Sequence, residues 1–227
     1  MNETLWLGFA LLDLTLVVFI YRFFGKAGMF ALVVFNLVLC NIQVLKVIDI
    51  FGMTTTLGNV LYASVFLATD ILSEHHGKEE ARRAVLLGFL ALLMATVYMQ
   101  IALLFTPNAD DFVQPHLQAI FSFMPRVAAA SMVAYLVSQL HDVWAFHKIR
   151  ARTGVKHLWL RNNLSTLASQ FLDSAIFTLA AFWGVFPANV VWEIFFTTFL
   201  MKAFVACLDT PFIYVAGWVR PTAAAQS

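Results

Sequence analysis

Seven apolar runs, each near the length that crosses a bilayer, constrain this chain most. They cover 4–24, 29–47, 58–73, 84–105, 126–146, 163–183 and 188–218. A spanning helix needs about 20 apolar residues, whereas the strands of a membrane barrel alternate with period two. These runs do not alternate. The third is short, and the last is long, with Pro211 expected to kink or end it. Of the 227 residues, 61% are hydrophobic and 12% charged. That charged share is about half the level of soluble domains. A soluble fold of this length removes only roughly 70–75% of its unfolded surface from water, too little to hide so many apolar side chains. The composition therefore excludes disorder, a secreted disulfide scaffold, a nucleic-acid binder and an ordinary cytosolic enzyme. The expected fold class is all-α: a polytopic membrane helical bundle of about seven transmembrane helices in a single domain over 1–227.

The basic residues set the direction of the chain. Arg22 and Lys26 follow the first run, and Lys78, Arg82 and Arg83 follow the third. Lys148, Arg150, Arg152, Lys156 and Arg161 follow the fifth, and Arg220 the seventh. The opposite connections carry Asp110 and Asp111, or no charge at all. Basic loops on one side mark the cytoplasmic face, which puts the N-terminus outside and the C-terminus in the cytoplasm of an inner (plasma) membrane protein. Lys46 is the anomaly near an outer loop. The net charge of +1 gives no field for nucleic acid. Cys40 and Cys207 lie inside apolar runs and read as small hydrophobes. No cleavable signal peptide is evident ahead of the first run. The segment 114–125 is mildly amphipathic and is expected along the outer interface.

Ionisable groups inside a bilayer are costly, and those that persist face a cavity or a partner. The second run carries Asn36, Asn41, Gln43 and Lys46. The amides suit interhelical hydrogen bonds as well as a ligand, and Lys46 suits snorkelling as well as binding. Asp70 and Glu74, spaced i,i+4, share one helix face. Asn163, Thr166, Gln170 and Asp173, spaced by three, four and three, form one stripe of the sixth run, either a cavity wall or a polar seam. The seventh run carries Glu193, Lys202 and Asp209, with Thr198, Lys202 and Asp209 on one face. Lys202 is near mid-span and needs a carboxylate, for which Asp70 and Asp173 are both candidates. Asp13 in the first run is lipid-exposed or paired. Gln139 and Asp142 stand near the cytoplasmic mouth. The group His75, His76, Glu79 and Glu80 lacks a zinc spacing and reads as a solvated turn.

The stretches ATDILSEHHGKEEARRAVLLGF (68–89) and WLRNNLSTLASQFLDSAIFTLAAFW (159–183) resemble the signatures of the queuosine precursor transporter family, small prokaryotic inner-membrane proteins of the vitamin-uptake-transporter type. The resemblance runs from about Phe35 to Tyr214 and rests on Thr69-Asp70, Gly77, Ala81-Arg82-Arg83, Ser165-Thr166, Asp173 and Phe182-Trp183. Gln139, Asp142, Glu193 and Lys202 are similar to further family positions. The family is typically six-helical, so the run at 4–24 looks like an extra N-terminal helix. The resemblance implies a transport domain that imports 7-deazaguanines for tRNA modification: 7-cyano- or 7-aminomethyl-7-deazaguanine, or queuine. A carboxylate accepts the ring N–H and exocyclic amine of such a base as a fork, a role open to Asp70 or Asp173. Asn41, Asn163 and Gln170 are suited to the carbonyl and ring nitrogens, and an aromatic face to the ring plane.

The expected substrate-binding set is thus Asn41, Gln43, Lys46, Asp70, Asn163, Thr166, Gln170, Asp173, Glu193 and Lys202, with Asp70, Asp173 and Lys202 as candidates for energy coupling. The partners are a small 7-deazaguanine and the lipid bilayer. No cofactor, metal or nucleic acid is expected, and small-residue faces permit a homodimer. Two other classes fit parts of the pattern. A substrate-binding subunit of an energy-coupling-factor importer has similar size, although this chain has no Walker A motif. An intramembrane enzyme would use the Asp70/Glu74 pair, but no Gly-x-Ser-x-Gly, His-Glu-x-x-His or redox cysteine pair is present.

Overall fold

The computed structural model describes residues 1–153 and 158–219. Helix α1 covers Asn2–Gln43 and is broken at Gly25, where φ is 53° and ψ −137°. A side chain would be strained there, and glycine is not. A straight 42-residue helix would be about 63 Å long, twice a hydrocarbon core. The break instead folds α1 into two antiparallel arms. At Gly28 an added Cβ would lie 2.7 Å from both Ile20 Cγ2 and Phe24 Cβ, so the arms touch beside the turn. Further along, Asn36 Nδ2 reaches Asp13 Oδ1 at 3.5 Å. Trp6, Ala10, Asp13, Leu14, Val17 and Tyr21 are buried, and their spacing of three or four turns one stripe of the first arm toward the bundle.

A small β-hairpin, absent from the helical expectation, follows α1. Strand β1 (Val47–Ile50) pairs antiparallel with β2 (Met53–Thr56), with Val47 opposite Thr56. Phe51 and Gly52 both have positive φ, at 53° and 74°. Positive φ at both central residues is the type I′ requirement, and that turn matches the twist of the strands. The tip is tied to the first arm: the Phe51 N–H donates to Glu3 Oε1 at 3.1 Å, and Asn2 Nδ2 donates to the Asp49 carbonyl at 2.9 Å. Lys46 is exposed where α1 meets β1.

Helices α2 (Asn59–His76), α3 (Lys78–Leu103), α4 (Gln114–Phe121), α5 (Met124–Thr153), α6 (Leu158–Phe182) and α7 (Ala188–Trp218) complete the chain. The arms of α1, with α2, α3, α5, α6 and α7, run between two ends of one bundle. At the Gly25 end, Lys26 Nζ pairs with Glu80 at 2.6 Å and Tyr21 stacks on His75. At the hairpin end, Arg126 donates from Nε to the Ala180 carbonyl at 2.8 Å and from Nη2 to the Trp183 carbonyl at 2.6 Å. Leu14, Val17, Met29, Val33, Leu67 and Leu92 pack between α1, α2 and α3. Leu86, Leu90, Leu93 and Val97 of α3 face outward, as suits lipid contact. The segments Asn2–Gln43, Lys78–Leu103, Gln114–Ser138 and Ala188–Val205 are long and apolar enough to cross a membrane. The amphipathic segment forms α4, with no residue buried. Pro211 does not end α7, which continues to Trp218.

Glu193 joins α7 to the hairpin. Its Oε1 accepts the Thr54 N–H at 2.8 Å, and Thr197 Oγ1 donates to the Thr54 carbonyl at 2.6 Å. A hydrogen bond to a charged acceptor contributes about 1.5–3 kcal/mol. Glu193→Ala is expected to lower thermal stability in detergent and to open the hairpin to limited proteolysis at Phe51–Gly52. An unchanged cleavage rate would show that the other contacts suffice.

Candidate functional site

Five helices bring small and polar side chains to one cavity of about 380 Å³, counted to its open mouth. The helices contribute through residues one turn apart. On α6 these are Asp173 and Phe177, and on α7 Thr198 and Lys202, each an i,i+4 pair. On α2, Asn59 and Tyr62 line the wall. Ser131 and Ala134 of α5 are small enough to leave the space open. Cys40 and Asn41 of the second α1 arm close the circle, and Gly58 sits at its rim. The cavity lies toward the hairpin end.

Its chemical centre is an ion pair. Lys202 Nζ donates to Asp173 Oδ2, and both side chains are over nine-tenths buried. Nζ also stands 4.6 Å from the centre of the Tyr62 ring, a cation–π contact. A desolvated pair of this kind is stable only when attraction and hydrogen bonds together offset the loss of water. Around it, Asn41 is fixed: Nδ2 donates to the Leu37 carbonyl at 2.7 Å, and Oδ1 accepts from Ser131 Oγ. Asn59 Nδ2 donates to the Thr56 carbonyl at 3.1 Å, tying the hairpin's last residue to the wall. Thr198 Oγ1 is buried without a hydrogen-bond partner, as are Ser174 and Thr178 beside Asp173 on α6. Buried hydroxyls normally find partners, so an unmet hydroxyl on a cavity wall is suited to a ligand. The site therefore offers an anionic acceptor beside a cationic donor, with amide, hydroxyl and aromatic surfaces around them.

Of the residues expected from sequence, the structure brings together Asn41, Asp173 and Lys202. Lys202 takes Asp173, not Asp70, as its carboxylate. Asp70 is exposed on α2 and does not line the cavity. Lys46 is exposed at the hairpin, and Glu193 binds the hairpin backbone. Gln43 and Gln170 stand outside the lining, and each has a buried Oε1 without a partner. The side chains of Asn163 and Thr166, and those of Gln139, Asp142 and Asp209, lie outside the described residues. Sequence reasoning gave no site role to Tyr62, Asn59, Ser131, Phe177 or Thr198. Phe177 and Thr198 were within reach of it, since each is one helical turn from a predicted charged residue.

Known proteins resemble this chain over most of its length. A family model described as "Putative vitamin uptake transporter" matches residues 56–216, which hold every cavity residue except Cys40, Asn41 and Val44. A Bacillus subtilis (strain 168) protein named "Probable queuosine precursor transporter" is 44% identical over 221 residues, 97% of this chain and 96% of its own. That alignment is nearly end to end, so the first arm of α1 is shared with this relative. The "Queuosine precursor transporter" of Escherichia coli (strain K12) is 30% identical over 136 residues, 60% of this chain and 59% of its own. A "Probable queuosine precursor transporter" of Haemophilus influenzae is 29% identical over 162 residues, 70% and 66% of the two chains. No solved structure matches. The chain is an integral membrane protein that belongs to the vitamin uptake transporter family, among whose relatives are proteins named for queuosine precursor transport.

Proposed function

We propose that this chain is a non-enzymatic carrier that imports 7-deazaguanine precursors of queuosine across the inner membrane. The observation that carries the reading is the buried Asp173–Lys202 pair on the wall of a cavity that five helices line. A 7-deazaguanine presents a carbonyl, a ring N–H and an exocyclic amine in order along one edge. Lys202 matches the carbonyl as donor, and the free Oδ1 of Asp173 matches the N–H groups as acceptor. Tyr62 and Phe177 offer ring faces to the base. Thr198 and Asn41 are placed for its remaining polar atoms. The relatives named for queuosine precursor transport support the same cargo.

Orientation follows from charge. Arg22, Lys26, Lys78, Arg82, Arg83 and Lys148 gather toward the Gly25 end, which the positive-inside rule makes cytoplasmic. The N-terminus and hairpin then face outward, and the cavity lies nearer the outer face, as uptake requires. The test is a strain that cannot make the precursor and is fed it in limiting amounts. Deleting this protein is expected to remove queuosine from tRNA, and restoring it to return the modification. Unchanged queuosine would refute the reading.

A further inference from the structure

Away from the cavity, the two arms of α1 and α2 enclose a second buried polar group. Asp13 is 6% exposed, Asn36 3% and Ser64 0%. Asn36 Nδ2 donates to Ser64 Oγ at 2.6 Å and reaches Asp13 Oδ1 at 3.5 Å. Ser64 Oγ donates to the Leu61 carbonyl at 2.8 Å. Asp13 Oδ2 is buried with no partner. The first arm is about 34 Å long, and Asp13 lies about 17 Å along it, at mid-depth.

No cation answers this carboxyl among the described residues. The second arm presents Asn36 and α2 presents Ser64, neither of which ionises. Helix α7 packs on the first arm through Trp6 and Phe204. Its Lys202 is held by Asp173, and its Asp209 side chain lies outside the described residues. Lys26, at the turn of α1, pairs with Glu80 of α3. Tyr21, two turns beyond Asp13, stacks on His75 of α2. An unpaired carboxylate at mid-membrane costs several kcal/mol, and a bound proton removes that charge.

We propose that Asp13, with Asn36 and Ser64, is a proton-binding site that couples uptake to the proton gradient. The proposal rests on the transport reading above. Asp13 takes up one proton on the outer side and releases it on the inner side, with no covalent change. The link to the cavity is mechanical. Asn36 is one turn from Cys40 on the same arm, and Ser64 shares α2 with Asn59 and Tyr62. The helices that enclose the proton thus also form two walls of the cavity. Water can reach Asp13 only if the first arm parts from these helices, and that parting moves both walls. Proton release and cavity opening become one motion.

The test uses the full-length protein in proteoliposomes with labelled 7-cyano-7-deazaguanine, an uncharged probe. Two modes are compared: counterflow exchange without a gradient, and uptake driven by an inward gradient of about 1.5 pH units. One proton per substrate permits up to about thirty-fold accumulation across that gradient. Wild type is expected to show both modes, with alkalinisation of the medium by one proton per substrate. Asp13→Asn is expected to keep exchange and lose gradient-driven accumulation, and Asp13→Glu to regain it. Persistent accumulation in Asp13→Asn overturns the proposal. So does wild-type uptake without proton movement, or uptake driven by a sodium gradient alone, and these wild-type outcomes do not depend on the variant folding. Absence of exchange in wild type refutes the transport reading instead, and the coupling proposal falls with it.

Discussion

Asp173→Asn should weaken precursor binding by roughly tenfold to a hundredfold, while Asp70→Asn leaves it within about twofold. Losing a charged acceptor costs about 1.5–3 kcal/mol, and each 1.4 kcal/mol is a factor of ten. Asparagine keeps the shape of the side chain but turns one oxygen into a donor. It then repels the N–H groups that the carboxylate accepts. The same change strands Lys202. A buried charge left without its partner destabilises by about 3–5 kcal/mol, eased here by the Tyr62 ring at 4.6 Å. Binding and stability must therefore be separated. The double variant Asp173→Asn with Lys202→Met removes both charges and should recover much of the thermal stability without recovering affinity. Asp70 is exposed on another part of α2 and supplies the contrast. Equal losses in the two single variants, measured by calorimetry on purified protein, would show that the cavity is not where the base binds.

The features legible in the sequence are those set by local physics. The long apolar runs and one-sided basic loops anticipate the helices and the gathering of positive charge at one end. The helical period places Asp173 and Lys202 on polar stripes of their runs. Partner choice was not legible, because helical periodicity says which face a residue occupies but not which helix lies opposite. Asp70 and Asp173 thus remained equal candidates for Lys202 until the bundle was seen. The amides of the second run show the same limit. Asn36 and Gln43, seven apart, share a face on an ideal helix, yet Asn36 meets Asp13 and Ser64 while Asn41 reaches the cavity. The hairpin was hidden for another reason. Its strands have four residues each and lie between two apolar runs. The β-branched Val47, Ile48, Ile50 and Thr54–Thr56, with Gly52 in the turn, are its signal, and they are easily absorbed into the flanking helices.

Asp13 shows how a tertiary contact changes the meaning of a residue. Alone on a run of apolar side chains, it is either lipid-exposed or paired. The break at Gly25 brings the second arm back against the first and turns Asn36 toward it. The relative that aligns with nearly the whole chain shares this arm. The arm is thus a built part of the bundle, and it supplies a carboxyl that the cavity itself does not use.

Gly58→Ala should disrupt the cavity from its rim. An added Cβ would lie 2.4 Å from the Cys40 carbonyl oxygen and 3.1 Å from the Val44 amide nitrogen. Both are backbone atoms, so no side-chain rotation relieves the clash. The start of α2 must instead move away from the second arm of α1. Overpacking of this kind costs about 1–3 kcal/mol. At roughly 2–4 °C per kcal/mol, the melting temperature in detergent should fall by several degrees. Function should suffer more than stability. Cys40 and Asn41 stand on one side of the displaced contact, and Asn59 and Tyr62 on the other. Their separation widens the site and draws the Tyr62 ring away from Lys202. The expected result is a folded protein whose melting temperature no longer rises with added 7-cyano-7-deazaguanine. Gly217, with open space around its added Cβ, provides the matched control, since Gly217→Ala should retain the ligand-induced rise. A normal rise in Gly58→Ala would mean that the wall between α1 and α2 tolerates displacement, and that the base is held chiefly by α6 and α7.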